Sequence, residues 1–579
     1  MFVRLHRSKA SQHASVQILE SYREAGKVKQ RILHSLGVIR NDGDRERLVQ
    51  VAHALIAKLA QMQAQTRFDF DKAPEIILAE IKPPKPVTGN IDPTKIVHVR
   101  SQPSGFEDVY GRLCELLGFD RLLGEIDRSH KADFRVSEIV PMLVQKRLQS
   151  PFSKRRSLFL DSVESGVQRF ELHQIYRAMD VLLPHSESFQ ALAFDAATNL
   201  LEKRVECFFY DATTLYFESV RQDEVRAFGF SKDGKFNQTQ VLLCLIVTEE
   251  GLPVGYEIFP GNTAETKTME KAVQKLSERY QVVRATIVCD RGMMSGDNLA
   301  FAEAYKLHYI VGEKLRKLPA RHQPMIFEKS AYAEIGDKTF IRDVAHPTRP
   351  GKRLILIYSE SRAQKDKTDR ERLLKKLEKK LDKKKPGARD FISNQGVKKF
   401  ITIAGGTAAL NRQAILEEEK WDGFFGITTS HELLPASQVL SQYRGLWQVE
   451  EAFRVAKHDL STRPIFHWTP KRIRAHILLC FIALVLERYL EALLQKRGTP
   501  LTAMNIHDAL SGCQKILLQE TKSNRLFAVS ANKPLEARTI YETLGLNWRS
   551  VTREIATPPG PVVCTPPSVK PQAHGIEPF

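Results

Sequence analysis

The chain has 579 residues, 42% of them hydrophobic, enough for roughly three or four domains and more than one buried core. Lys and Arg total 87 against 68 for Asp and Glu, a formal net charge of +19, so the summed field attracts polyanions and nucleic acid heads the classes of partner. A membrane span is excluded by length: the longest apolar run, Ile477 to Leu486, falls short of the roughly 20 residues a bilayer needs and reads as a buried core helix.

The opening MFVRLHRSKASQHAS has no apolar signal region, so the expected compartment is the cytoplasm. MFVRL and then SVQILESYREAGKVKQRILHSLG alternate like strands around a turn at Glu24-Ala25-Gly26. From Asp44 to Gln63 the apolar residues recur at helical spacing, and a Pro-rich linker follows, which predicts an N-terminal β-start and helix over 1–85. Helical patterns at about Phe106 to Leu117, Arg135 to Leu148 and Ser188 to Arg204 make 86–204 a mostly helical region. The seven cysteines stand far apart, mostly in apolar runs and with no C-x-x-C pair, so neither zinc nor disulfides are indicated.

Between residues 205 and 313 the period changes. CFFYDATTLYF, QVLLCLIVTEE and LPVGYEIFPGN read as strands; a helix over Glu265 to Tyr280, the strand ATIVCD, a helix at about Asp297 to Tyr305 and the strand HYIVGE follow. This describes a mixed α/β sheet. Residues 314–420, with the short β runs KTFIRDVA, KRLILIYS and KKFITIAG and one charged helix, read as a β-rich insertion subdomain. In that helix, Lys365 to Lys385, Leu373, Leu377 and Leu381 form a narrow docking stripe on an otherwise solvated surface. Residues 421–495 return to the core with the strand DGFFGITTS and helices at about Ala436 to Trp447 and Gln448 to Leu460; apolar helices from Arg472 to Leu493 buttress it, with His476 as a core histidine. Residues 496–579 are expected to be C-terminal helices and a disordered tail.

Three acids stand out from this scaffold. Asp211 is the one charge in a strand apolar or small on both faces, and Asp290 ends a second buried strand at its carboxyl end, where open α/β sheets place their ligand sites. If the strands are neighbours, the two carboxylates converge and would raise one another's pKa unless divalent cations hold both ionised; oxygen-only ligands suit Mg²⁺ or Mn²⁺. The competing reading is turn and capping chemistry, Asp before Arg-Gly being good turn sequence. In QYRGLWQVEEAFRVAKHDL, Glu450, Arg454 and Lys457 fall at i, i+4 and i+7 on one helix face, with Trp447 beside it; alone, Glu450 and Arg454 would be an ordinary surface ion pair.

At these residues the chain resembles the DDE-type bacterial insertion-sequence transposases with a Tyr-Arg-Glu-Lys signature around the last acid. The match runs through YDATTLYFE, GLPVGYEIFPGNTAE, VCDRGMMSGDNL, DGFFGITTS and YRGLWQVEEAFRVAKHDLSTRPIFHW, then RIRAHILLCFIAL, and it is their order and spacing that make it specific. The resemblance implies an α/β, ribonuclease-H-like catalytic core with a β-rich insertion. It also implies Asp211, Asp290 and Glu450 as catalytic, metal-binding acids with two Mg²⁺ or Mn²⁺ ions. Tyr443, Glu450 and Lys457 fit the signature, but its Arg position holds Leu446; Arg444 lies two residues earlier and Arg454 one turn after the acid. Tyr443, Arg444, Trp447, Arg454 and Lys457 are the expected DNA contacts, Tyr443 and Lys457 on phosphates and Trp447 on an unpaired base. The activity implied is binding of terminal inverted repeats, cleavage at the element's ends and transfer of 3′-hydroxyls to target DNA. The expected partner is double-stranded DNA, bound by a homodimer in the synaptic complex, without a membrane and in the bacterial nucleoid. Sequence recognition is expected within the N-terminal 200 residues. A nuclease that cuts without joining and a catalytically silent DNA-binding derivative are the alternatives.

Overall fold

The alternation at the N-terminus becomes three antiparallel strands, β1 (Phe2–Arg7), β2 (Ala14–Glu24) and β3 (Lys27–Val38), with Glu24 in register with Lys27. In this computed structural model the described residues are 2–7, 14–24, 27–38, 93–202, 205–229, 237–280, 282, 285–293, 295–381, 399–404, 407–531, 533–548 and 552–555. The helix expected over 44–63, the Pro-rich linker and the C-terminal tail lie outside them. The strands belong to one unit, Met1–Glu80, and everything below belongs to a second, Ile81–Phe579.

The second unit begins with β4 (Ile96–Pro103) and six helices: α1 (Gly105–Leu116), α2 (Phe119–Ser129), α3 (Val136–Gln149), α4 (Lys154–Ser165), α5 (Leu172–Leu182) and α6 (Ser186–Leu201). The patterns found α1, α3 and α6. They missed α2, α4 and α5 because each buries only a thin apolar stripe, on α2 just Phe119, Leu123 and Ile126.

A nine-stranded sheet follows, in the order β10-β11-β12-β15-β9-β8-β5-β6-β7. Third from one edge is β5 (Cys207–Tyr216), antiparallel to β6 (Gln240–Thr248), which pairs with the edge strand β7 (Pro253–Pro260); on the other side β8 (Thr286–Cys289) and β9 (His308–Glu313) run parallel to it. The stretch read as an insertion subdomain does not build a separate sheet throughout. β10 (Ala333–Gly336), β11 (Thr339–Ala345) and β12 (Arg353–Ser359) extend the central sheet, because β15 (Phe424–Thr429) pairs with β12 on one edge and β9 on the other. Only the hairpin of β13 (Ile401–Ala404) and β14 (Thr407–Leu410) stands apart.

Helices cover both faces of this sheet. In chain order they are α7 (Met269–Gln274), α8 (Gly296–Ala304), α9 (Glu360–Leu381), α10 (Arg412–Glu419), α11 (Ala436–Arg444), α12 (Trp447–Arg454) and α13 (Pro470–Lys496). The two-residue period of β5 divides between them: Cys207, Phe209 and Leu215 join a core with Val449 and Phe453 of α12 and Phe481 of α13, while Phe208, Tyr210 and Ala212 join another with Met269, Val273 and Leu299. On α9, Leu377 is buried against Phe400, with Leu373, Leu374 and Leu381 beside it, which is the docking stripe expected.

α13 is apolar nearly all round and buried from Ile473 to Leu494, as a helix inside a large core should be. His476 within it points Nε2 at the Thr462 carbonyl at 3.2 Å, and burial with Lys154 and Arg147 nearby pushes its pKa well below the usual value. Among the described residues no helix is long and apolar enough to cross a membrane, and six cysteines, all but Cys564, are buried free thiols.

The C-terminal region corrects the expectation of helices alone. α14 (Ala503–Ser511) leads into β16 (Gln514–Glu520) and β17 (Leu526–Ala531), followed by α15 (Leu535–Thr543) and β18 (Thr552–Ile555); the strands form a four-stranded sheet in the order β18-β17-β16-β4. β4 is an edge strand with Val97 and Val99 exposed, so its pattern carries little signal, and its partner lies some four hundred residues away.

Candidate active site

The parallel register between β5 and β8 decides where the two aspartates stand. It pairs Phe209 with Val288 and Tyr210 with Cys289, so the next residues along, Asp211 and Asp290, emerge side by side. By the strand period Asp211 shares the face of Phe209 and Asp290 that of Val288, and both of those residues belong to the core that includes α12. The sheet thus delivers both carboxylates to the side where Glu450 sits.

Asp211, Asp290 and Glu450 line one cleft of about 870 Å³. The helical corner that carries Glu450 lies tight on the sheet: a Cβ on Gly445 would run into the Phe209 ring and come within 3.0 Å of the Gln442 carbonyl oxygen, so only glycine lets α11 and α12 meet there. Gly312 of β9 makes room in the same way for the Tyr443 hydroxyl. That hydroxyl donates to Asp290 Oδ1 at 3.4 Å, and burial, with the Asp290 carboxylate added, pushes its pKa upward. Beneath the acids, burial first and then the charges of Asp211 and Asp290 push the Cys289 thiol up, leaving it a neutral core group.

The expected contacts divide. Tyr443, Arg444 and Trp447 line the cleft; Tyr443 is spent on Asp290, Arg444 reaches Thr339 Oγ1 at 3.3 Å, and Trp447 is 56% exposed, far more than a helix-packing residue would be. Arg454 and Lys457 do not line it. Arg454 binds Glu451 at 2.8 Å and Asp459 at 3.3 Å, not Glu450, and faces another cavity. Arg454 shares α12 with Glu450 but turns its guanidinium to Glu451 and Asp459, and Lys457 lies in Val455–Asp459, a π-helical turn in which each residue advances less around the axis than in an α-helix, so the face read for 450, 454 and 457 does not continue to Lys457. Leu446, at the signature's Arg position, is partly buried against the core and also lines the cleft.

Several lining residues were not singled out from the sequence: Ser359 at the end of β12, Ser361, Arg362 and Lys365 at the start of α9, and Phe425 of β15. The Arg362 guanidinium lies over the Phe425 ring at 4.7 Å, while Lys365 is exposed with no ion-pair partner among the described residues. The apolar stripe of α9 drew attention to its docking side. Its first turn enters the cleft only because β12 ends there.

Among the described residues no group of three or more His, Cys, Asp or Glu side chains is disposed to hold a metal ion, so the three acids share the cleft's walls without closing on a common point. Bare carboxylates repel, and drawing them together takes a cation. As donors they are oxygen-only, set in an open cleft, which fits a hard divalent ion.

Residues 204–486 match the family model described as "Transposase DDE domain", and residues 4–66 match "IS1634 family transposase, N-terminal domain". No curated protein matches. Among solved structures, a "piggyBac transposase synaptic complex with hairpin DNA" aligns at 10% identity over 71% of this chain and 78% of that one, with a TM-score of 0.35, too low to bear on the fold.

Proposed function

Since the chain belongs to the insertion-sequence transposases with a DDE domain, we propose that Asp211, Asp290 and Glu450 are the carboxylates at which it cuts DNA at its element's ends and joins 3′-hydroxyls to target DNA. One observation carries this reading: two acids in adjacent positions on parallel strands and a third on the helix packed over them line one cleft. The order β7-β6-β5-β8-β9, antiparallel on one side of β5 and parallel on the other, supports a ribonuclease-H-like core.

These acids would hold two divalent ions, Mg²⁺ or Mn²⁺, which supply charge neutralisation and a more acidic entering hydroxyl for an in-line displacement at phosphorus. The protein's own groups do the positioning. β5 and β8 fix the spacing of the aspartates, Tyr443 orients Asp290 through its hydrogen bond, and Glu450 approaches from the helix. Lys365, Arg362 and Arg444 sit where the charge of a bound phosphate would fall, and the exposed face of Trp447 offers a stacking surface for an unpaired base. Hydrolysis and strand transfer then differ only in whether water or a DNA hydroxyl enters. We assign the core to 205–313 and 421–495 and recognition of the terminal repeats to the helical region 86–204, with two copies pairing two DNA ends.

The test uses the purified full chain with Mg²⁺ or Mn²⁺ and DNA carrying the sequences that flank its gene. Asp290→Asn and Glu450→Gln are expected to abolish cleavage while binding to the ends survives; full cleavage by either variant overturns the assignment. Pre-cut ends incubated with a plasmid should yield joined products, which a nuclease alone cannot make.

A further inference from the structure

Beside the acid cleft opens a second cavity of about 620 Å³, and the two share Arg362, Asp366 and Phe425. Its lining includes Arg291, the residue after Asp290, and Lys314 and Lys317, which follow β9. Acids line it too, but each is already engaged. Glu313 accepts from Thr428 at 2.7 Å, Arg349 at 2.6 Å and lies 3.0 Å from His346 Nε2; Glu418 pairs with Arg316 and Lys399, both at 2.7 Å. Asp422 holds Arg370 at 2.5 Å, Asp366 accepts from the Gly423 N–H at 3.0 Å and faces Arg362 at 3.8 Å, and Asp369 faces Arg372 at 3.6 Å. Arg291, Lys314 and Lys317 have no ion-pair partner among the described residues. The uncompensated charge of this groove is therefore positive, and it begins next to Asp290.

We propose that this groove binds a single DNA strand, the continuation of the strand whose phosphate lies at the acids, with Arg291, Lys314 and Lys317 on its phosphates. The inference rests on the catalytic reading above. A cavity of this volume is the size of a small-molecule site, so it admits nucleotides of one strand and not a duplex. Phosphate contacts of this kind set the register of the strand without reading its sequence. Arg362, on the shared rim, would meet the phosphate where the two cavities join.

The experiment measures binding of the full chain to two probes over a range of salt: a blunt duplex and the same duplex with a short single-stranded extension. Lys314→Ala combined with Lys317→Ala is expected to weaken binding of the extended probe about ten-fold and to make the plot of log affinity against log salt shallower by about 1.4, two lost contacts at roughly 0.7 each for single strands. Blunt-duplex binding should be unchanged. Equal losses on both probes, or none on the extended one, overturn the proposal. A second arm uses Lys317→Cys, an exposed position, with oligonucleotides bearing a disulfide-activated tether: cross-links to extension nucleotides are expected, and cross-links confined to the duplex, or their absence, count against it. If Asp290→Asn and Glu450→Gln cut normally, the catalytic reading fails whatever the cross-links show. If they are inactive and the extension still does not cross-link, only the groove fails.

Discussion

Glu487 of α13 is buried, and the Tyr110 hydroxyl of α1 donates to its carboxyl oxygen Oε2. Burial, reinforced by Glu491 and Asp459 and only partly opposed by Tyr110 and Arg488, pushes its pKa up to about 8 from an ordinary 4.5. The folded state therefore keeps a proton that the unfolded chain gives up near pH 4.5, so the stability tied to that proton is complete below 4.5 and is lost as pH rises toward 8. At about 1.4 kcal/mol for each pH unit between the two values, the loss reaches on the order of 5 kcal/mol. Glu487→Gln keeps the shape and removes the titration. We expect its denaturant midpoint to match the wild type near pH 5 and to exceed it progressively up to pH 9, read by urea unfolding across that range. A difference between the two proteins that stays flat from pH 5 to 9 refutes the reasoning.

Three further outcomes follow from the same contacts. Gly445→Ala should cost about 1–3 kcal/mol in unfolding midpoint through its clash with Phe209 and depress DNA cleavage with it, since the same corner carries Glu450; a stable and fully active variant would show that the corner has slack. Trp447→Ala should leave stability within about 0.5 kcal/mol, because the ring is exposed, yet weaken binding of DNA with unpaired bases by about 1–3 kcal/mol, measured by titration of gapped against intact duplex. Glu313→Gln acts in the acid direction: burial alone would raise this carboxyl, but His346, Thr428 and Arg349 outweigh it and hold it down at about 2, so its contribution is present above pH 4.5 and lost as pH falls toward 2. The variant should be less stable by about 3–5 kcal/mol at neutral pH, and its acid unfolding profile should be flatter than the wild type's.

How much was legible beforehand depended on how local the signal was. Asp211 and Asp290 stood out because one interrupts an apolar strand and the other ends one, and a charge set in an apolar run needs a reason wherever it occurs. The helices that bury a broad stripe were equally visible. That Arg454 and Lys457 do not line the acid cleft was not legible: Arg454 is drawn off by Glu451 and Asp459, and Lys457 lies in a π turn that changes the angular advance per residue and that nothing in VAKHD announces. Arg362 and Lys365 escaped notice because a charged helix looks solvated along its whole length until its first turn is seen to face the acids.

By itself, then, the amino-acid order determined the alternation that splits β5 between two cores, the buried character of α13, and the acids that the central strands carry. Tertiary structure alone decided that β8 lies parallel to β5 in the register that sets Asp290 beside Asp211, that β10 to β12 extend that sheet, and that β16 closes on β4 from the far end of the chain. The division has one cause. Periodicity records which face of an element is hidden from water, whereas the choice of what hides it is made by pairings between distant segments, whose free energy no short window contains.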